Sequence, residues 1–285
     1  MIVLHPRFLF FVLYMEGFME SAQMFCPERF VTLSEENIDT ESLCCIVRKK
    51  QHHGIEAKRE WLHERLAEGH IFRKVASDGC AFIEYAPLET AWVPIVGDNY
   101  LYIYCLWVDG PMKGHGYGNA LMESCLRDAE NSGKSGVCML GAVQQKAWLS
   151  SQSFAMRYGF QTVDTTDYGY LLLAKSFDGT VPHFPHHVKT QILPEWIQSV
   201  SPEQSGSLIV IYSCQCPFIP GRIENLQQYC LQNQIPAQFI PVHSLDEAKS
   251  LPCVFNNWAV FYNGRFVTVN QIDKTFLDKY IRKHL

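Results

Sequence analysis

Basic residues hold no majority in this chain: 24 lysines and arginines face 29 acids, a formal net charge of −5. That balance supplies no positive field, so nucleic acid is not an expected partner. A membrane-spanning run is also lacking. Phe8 to Met15 is wholly apolar but falls far short of the ~20 residues that cross a bilayer. Only Arg7 precedes it, Glu16 and Glu20 come after, and no small-residue cleavage site succeeds it, which argues against a secretory signal. Residues 1–24 read as an N-terminal extension, with Met15, Met19 and Met24 as alternative starts. Charge is sparse at 19% and hydrophobic residues make up 47%, the balance of a folded globular protein. The 285 residues allow two domains with separate cores. Cysteine is not scarce: 11 are scattered through element-like segments of a chain too large to need stapling, which points to free thiols and a cytoplasmic location.

Two common phosphate motifs are absent from the glycine-rich segment at 114–118. The dinucleotide fingerprint fails at Asn119 when counted from Gly114 and at Leu121 when counted from Gly116. No Gly-Lys-Ser/Thr tripeptide ends the segment, so it is not a nucleoside-triphosphate loop. What is present is an apolar strand, Leu101 to Val108, a turn at Asp109-Gly110-Pro111, and glycines at 114, 116 and 118. Ala120, Leu121, Cys125 and Leu126 then recur at helical spacing. Strand, glycine turn and helix start together make an anion site: amides without side chains approach the phosphate, and the helix end adds partial positive charge.

Lys113-Gly114-His115-Gly116-Tyr117-Gly118 after Leu106-Trp107-Val108 resembles the acetyl-CoA loop of the GNAT superfamily of N-acetyltransferases, Gln/Arg-x-x-Gly-x-Gly/Ala. Lys113 stands at the usual Gln or Arg position, keeping the charge without the forked donors. The order of elements agrees with that family from about Pro27 to Phe177. A cap at Ser34-Glu35-Glu36 leads toward Leu43–Val47, and Ile55–Glu68 is an amphipathic helix. Strands are expected at His70–Val75, Cys80–Ala86 and Thr90–Val96, then the strand ahead of the glycines and its helix. Val137–Ala142 is a strand and Lys146–Arg157 a helix ending in Tyr158-Gly159-Phe160; Gln161–Val163 and Tyr168–Lys175 are the last strands.

The resemblance implies an α/β GNAT fold that takes acetyl-CoA as acyl donor and a small-molecule or peptide amine as acceptor. It implies that the backbone of Leu106, Trp107 and Val108 contacts the pantetheine arm and that Lys113 to Asn119 wrap the pyrophosphate. Acyl transfer to an amine needs a neutral nucleophile, a donor for the oxyanion and a fate for the thiolate. Leu106 or Val108 N–H would serve the oxyanion. Glu84 is the first candidate base and Glu89 the second. The family's tyrosine acid falls at Ala155 and its helical asparagine at Trp148, which leaves Tyr158 as a nearby candidate acid, or a thiolate that departs unassisted. No acidic stripe marks the sequence, so a polybasic acceptor is not indicated.

Residues 178–206 carry four prolines among polar residues and read as a linker, with His183, His186 and His187 solvated. From residue 207 to 285 the order strand, helix, strand, helix, hairpin, helix resembles a thioredoxin-like fold, and a GNAT domain with this tail resembles bacterial proteins carrying a YoaP-type C-terminal domain. Cys216-Pro217-Phe218-Ile219 lacks the second cysteine of Cys-x-x-Cys, but Cys214 supplies a Cys-x-Cys. Cys253, in Leu251-Pro252-Cys253, would face the pair from a segment resembling the cis-proline loop. A thiol at a helix start is activated, so redox exchange or soft-metal binding is open to Cys214, Cys216 and Cys253. The alternative to an enzyme is an acetyl-CoA-binding sensor whose Cys-x-Cys reads metal or thiol state.

Overall fold

The computed structural model describes residues 30–43, 45, 53–142, 149, 152–190, 197 and 207–284. The expected N-terminal extension and, apart from Leu149, the first half of the helix expected from Lys146 lie outside them, Trp148 included.

Among the described residues, seven strands form one sheet in the order β1-β2-β3-β4-β5-β7-β6. They are β1 Phe30–Thr32, β2 Ile71–Val75, β3 Cys80–Pro87, β4 Tyr100–Asp109, β5 Gly136–Ala142, β6 Gln161–Thr165 and β7 Tyr170–Ser176. Helix α1 (His53–Leu66) precedes β2, α2 (Tyr117–Asn131) joins β4 to β5, and a short α3 (Gln152–Met156) precedes β6. All neighbours are antiparallel except β4 and β5, the pair linked through α2.

Strand alternation gives the sheet two apolar faces. Ile83, Tyr85, Leu101 and Ile103 pack with Leu121, Cys125 and Ala129 of α2 on one face. Phe82, Tyr102, Tyr104 and Leu172 pack on the other, with Trp61 and Leu62 of α1 and with Val254 and Val269 from the end of the chain. One face therefore belongs to α2 and the other to α1 and the C-terminal part.

The strand expected at Thr90–Val96 does not form. Ala91, Trp92, Val93 and Ile95 are buried, but Pro94 cannot donate to a ladder, and the backbone turns on itself instead, with Val93 N–H donating to Ala91 O and Ile95 N–H to Val93 O, both at 2.8–2.9 Å. Val96 makes a single bridge, to His183. The helix expected after Ser34 is a string of turns over 34–40. β1, which the sequence pattern does not predict, takes the sheet edge, so β4 is still the fourth strand.

The segment expected as a solvated linker is packed over its described part, 178–190. Phe184, just ahead of α4 (His186–Thr190), and Val188 within it are both buried in the core. Lys189 pairs with Asp164 at 2.7 Å. His183 and His186 remain exposed.

The C-terminal sheet has the order β11-β10-β8-β9. β8 (Leu208–Tyr212) is parallel to β9 (Ala237–Pro241) through α5 (Ile219–Gln232); α6 (Leu245–Lys249) precedes β10 (Trp258–Tyr262), and β11 (Arg265–Thr268) leads to α7 (Lys274–His284). Asn263 (φ 49°) and Gly264 (φ 71°) turn the β10–β11 hairpin with both residues left-handed. Among the described residues no peptide bond is cis, so Pro252 comes after a trans bond, contrary to the cis-proline resemblance.

The two sheets share a core. Tyr102 Oη donates to Asn256 Oδ1 (2.8 Å), Asn256 Nδ2 donates to Tyr104 O (3.3 Å) and Lys249 Nζ donates to Leu88 O (2.7 Å). Phe266 lies against Tyr168 with ring centres 4.9 Å apart.

Candidate active site

The glycine segment folds as its residues require. Gly114 (φ 82°) and Gly116 (φ 78°) are both left-handed, a conformation that side chains resist. Gly116 caps α2, and Ala120 N–H closes the first turn on Gly116 O at 3.0 Å. The amides of Tyr117, Gly118 and Asn119 precede that bond and have no acceptor within the helix. A Cβ on Gly118 would stand 3.7 Å from Val108 and 3.9 Å from Phe154, so the helix start lies close to β4. Residues 112–119, with Val108 and Phe154, wall an open cleft of about 540 Å³. Backbone donors, a helix terminus and free space coincide, which fits a diphosphate. Lys113 lies at the cleft, its ammonium 3.3 Å from Asp109; His115 and Tyr117 also line it.

The preceding strand changes character midway. β4 and β5 pair from Tyr100↔Gly136 to Ile103↔Met139 and no further, while β4 stays paired with β3 as far as Asp109↔Cys80. Among the described residues one edge of Cys105 to Val108 thus lacks a strand neighbour, and a gap of about 10 Å³ lies between Tyr104, Cys105, Met139 and Leu140. The β3–β4 register also shifts: Glu84 faces Cys105 and Tyr85 faces Ile103, so Tyr104 is an extra residue. A bulge of this kind re-aims the side chains beyond it along the strand. Val108 turns toward the glycine cleft and Leu106 packs with the α2 layer. Trp107 and Cys105 face the opposite side.

There a second cleft of about 320 Å³ lies between the two sheets. Phe82, Glu84, Tyr104, Cys105 and Trp107 wall it from the first domain, and Gln215, Cys216, Phe218, Arg222 and Asn257 from the second. Its floor is a buried polar network. Glu84 Oε1 meets His70 Nε2 at 2.9 Å, while Oε2 accepts from Lys58 Nζ and Gln215 Nε2, both at 2.7 Å. Lys58 Nζ donates as well to Gln215 O at 2.8 Å. Burial alone would raise the Glu84 pKa, but the Lys58 ammonium and His70 hold it below its ordinary value. Burial alone would lower Lys58, and Glu84 overrides it, so the lysine stays charged. A carboxylate with three donors and a lowered pKa is a weak proton acceptor. Glu89 lies away from this cleft and accepts from Asn99 N–H at 2.5 Å.

The remaining candidates separate. Tyr158 is half-buried beside Phe154, with ring centres 5.3 Å apart, and walls neither cleft. Cys216 lines the second cleft, together with Cys45 and Cys105. Burial, with Glu60 adding to it, raises the Cys214 pKa, the reverse of the activation expected at a helix start. Cys253 is sealed among Ile209, Phe255 and Phe261, and burial raises it too. Among the described residues no group of three His, Cys, Asp or Glu side chains is arranged to hold a metal.

Sequence reasoning alone misses Lys58, His70, Gln215, Arg222 and Asn257. Lys58 reads as one more charge on an amphipathic helix, and the others gain meaning only when the C-terminal part folds back over β3 and β4.

Comparison with known proteins bears on the family. Residues 34–160 match the acetyltransferase (GNAT) family model, and residues 236–279 match the YoaP-like model. An uncharacterized N-acetyltransferase, YoaP, from Bacillus subtilis (strain 168) is 30% identical over 253 residues, covering 86% of this chain and 97% of the relative. Among solved structures, a ribosomal-protein-alanine N-acetyltransferase from Brucella melitensis aligns with a TM-score of 0.39 and 16% identity, over 52% of this chain and 99% of that one. A GNAT family acetyltransferase of the same organism in complex with acetyl-CoA aligns with a TM-score of 0.35 and 15% identity, over 55% and 92%. Those structural likenesses are loose, and the assignment rests on the sequence matches. The chain belongs to the GNAT family of N-acetyltransferases, as a member with a YoaP-like C-terminal domain.

Proposed function

We propose that this N-acetyltransferase transfers an acetyl group from acetyl-CoA to the amine of a small molecule seated between its two domains. One observation supports this above others: the glycine cleft and the interdomain cleft lie on opposite faces of the sheet and share β4, whose Cys105–Val108 edge has no strand beside it among the described residues. An extended pantetheine arm can occupy that edge as a false strand. Acetyl-CoA supplies the activated acetyl group. In balance, an ammonium acceptor first gives one proton to solvent. Its nitrogen then forms the bond to the acetyl carbon as the carbon–sulfur bond breaks, and the second proton lost from nitrogen ends on the CoA thiolate.

The residues divide this work. The amides of Tyr117, Gly118 and Asn119 hold the diphosphate, Lys113 adds charge, and the backbone of Leu106, Trp107 and Val108 orients the arm and offers an N–H to the developing oxyanion. Glu84 serves as a positioning residue, fixing Lys58, His70 and Gln215 at the cleft floor. Tyr158 receives no role. The thiolate leaves unassisted, a CoA thiol being a tolerable leaving group. The C-terminal domain, which we read as thioredoxin-like from its strand order and single parallel pair, supplies the second wall of the acceptor site. Cys253 is sealed away from Cys216 and burial raises the Cys214 thiol, so neither lends support to the rival sensor's Cys-x-Cys.

The test is a panel of small amines with acetyl-CoA, read by thiol release and acetylated product. Release that depends on the amine, and that is lost in Gly116→Trp together with CoA binding, supports the reading. CoA binding without transfer to any member of the panel sinks it.

A further inference from the structure

Among the described residues, two polar groups that line the interdomain cleft carry an atom with no hydrogen-bond partner, Asn257 Oδ1 and Arg222 Nε. Glu84 carries no proton and can only accept, so Gln215 must present its Nε2 there. Gln215 Oε1 is then left for its other neighbour and accepts from Asn257 Nδ2 at 2.7 Å. That in turn fixes the Asn257 amide with Oδ1 unpartnered, on a side chain only 5% exposed. A buried acceptor without a partner, on a residue that lines the cleft, gains a hydrogen bond when a side-chain rotation presents it to a ligand N–H. The second group is Arg222, from the first turn of α5. Its Nε is buried without a partner, and among the described residues no carboxylate pairs with it. Around these two lie aromatic surfaces from both domains: Phe82 at the wall, with Trp107 and Phe218 left 43% and 45% exposed at the cleft.

Among the described residues, a buried acceptor without a partner, an arginine with no carboxylate beside it and aromatic walls line one small cavity. We infer that the acceptor is an amino-acid-sized molecule with a primary amine, a carboxylate and an apolar, ring-bearing body. Its amine donates to Asn257 Oδ1, its carboxylate pairs with Arg222, and its ring lies between Trp107 and Phe218. The inference rests on the interdomain cleft being the acceptor site, and it names what that site selects. The cavity's 320 Å³ sits at the low end of the ~300–1,000 Å³ typical of small-molecule sites, which favours a free small molecule over a peptide chain. A planar guanidinium fits a carboxylate through two parallel hydrogen bonds, so arginine is the suited residue for this contact.

The experiment compares kcat/KM for L-phenylalanine and L-tryptophan with 2-phenylethylamine and tryptamine, which lack only the carboxylate. The wild type is expected to prefer the amino acids by roughly thirtyfold or more, as befits a hydrogen-bonded charge pair. Arg222→Gln should bring that ratio to about one, with Arg222→Lys in between. Because both substrates meet the same enzyme, the ratio is immune to partial misfolding. Phe-Gly-Gly, whose carboxylate lies beyond Arg222, should rank with the decarboxylated amines. Equal use of acids and amines by the wild type, a ratio unmoved in Arg222→Gln, or Phe-Gly-Gly used as well as phenylalanine would overturn the inference while leaving the acetyltransferase reading intact. No transfer to any of them, with other members of the amine panel acetylated, would fell the inference alone; no transfer across the whole panel, with CoA still bound, would fell both.

Discussion

Gly116 and Glu84 show how differently single residues can matter here. At Gly116 the backbone φ of 78° is costly for any side chain, and a tryptophan would also fill the space in front of the α2 amides. Gly116→Trp is expected to weaken CoA binding by on the order of a hundredfold or more while the far core melts normally; unchanged affinity by calorimetry would refute the assignment of the cleft. Glu84 is a matter of charge. Glu84→Gln leaves the Lys58 ammonium buried opposite a neutral amide, a change that costs about 3–5 kcal/mol where buried pairs have been broken. Chemical denaturation should show that loss. A lowered carboxylate pKa contributes stability above its unfolded value and loses it as pH falls, so wild type and variant should converge in acid. The pH profile of kcat/KM separates positioning from proton removal. If Glu84 were the base, its acid limb would vanish in the variant; as a positioning residue it should leave that limb in place.

At the scale of elements, the turn between β8 and α5 couples the two domains at the cleft, since Gln215 reaches Glu84 from it while Cys216 and Phe218 line the cleft. A maleimide probe should label Cys216 on the order of a hundredfold faster than Cys253 or Cys138, which are sealed in apolar layers. A bound amine substrate should protect Cys216. Equal, slow labelling of all three would contradict the cleft's access. The glycine turn, β4 and α2 are legible in sequence because local chemistry dictates them: three glycines, an aromatic strand and a helical period leave few options. The Thr90–Val96 segment misleads because its apolar residues are buried as a strand's would be, and Pro94 alone warns that they cannot pair. The segment at 178–190 misleads because prolines and histidines mask Phe184 and Val188. The bulge at Tyr104 and the Glu84–Gln215 contact, 131 residues apart in sequence, have no local signature at all. The acceptor cleft exists only once distant segments meet.

As a whole, the molecule behaves as one unit, because Val254 and Val269 of the C-terminal part belong to the same buried cluster as Phe72 and Tyr102 of the first domain. A single transition by fluorescence and by circular dichroism is the expected unfolding behaviour. Its dependence on alkaline pH comes from buried groups of opposite tendency. Cys125, Cys138 and Cys253 are completely buried, and burial raises each above its ordinary value of 9.0. The unfolded chain therefore releases those protons near pH 9 while the native state keeps them. Each such thiol lowers stability by up to about 1.4 kcal/mol per pH unit past that point. Lys249 works the other way: burial lowers it to about 8 from 10.5, so between those values the unfolded state holds a proton that the native state has lost, and stability gains with pH. Three thiols outweigh one lysine. Urea midpoints should hold nearly level from pH 7 to 8.5 and fall steeply between pH 9 and 10.5, and the fall should shrink when Cys125 and Cys138 are replaced by alanine. A midpoint that stays flat or rises across that interval would mean the thiols are not sealed in the core.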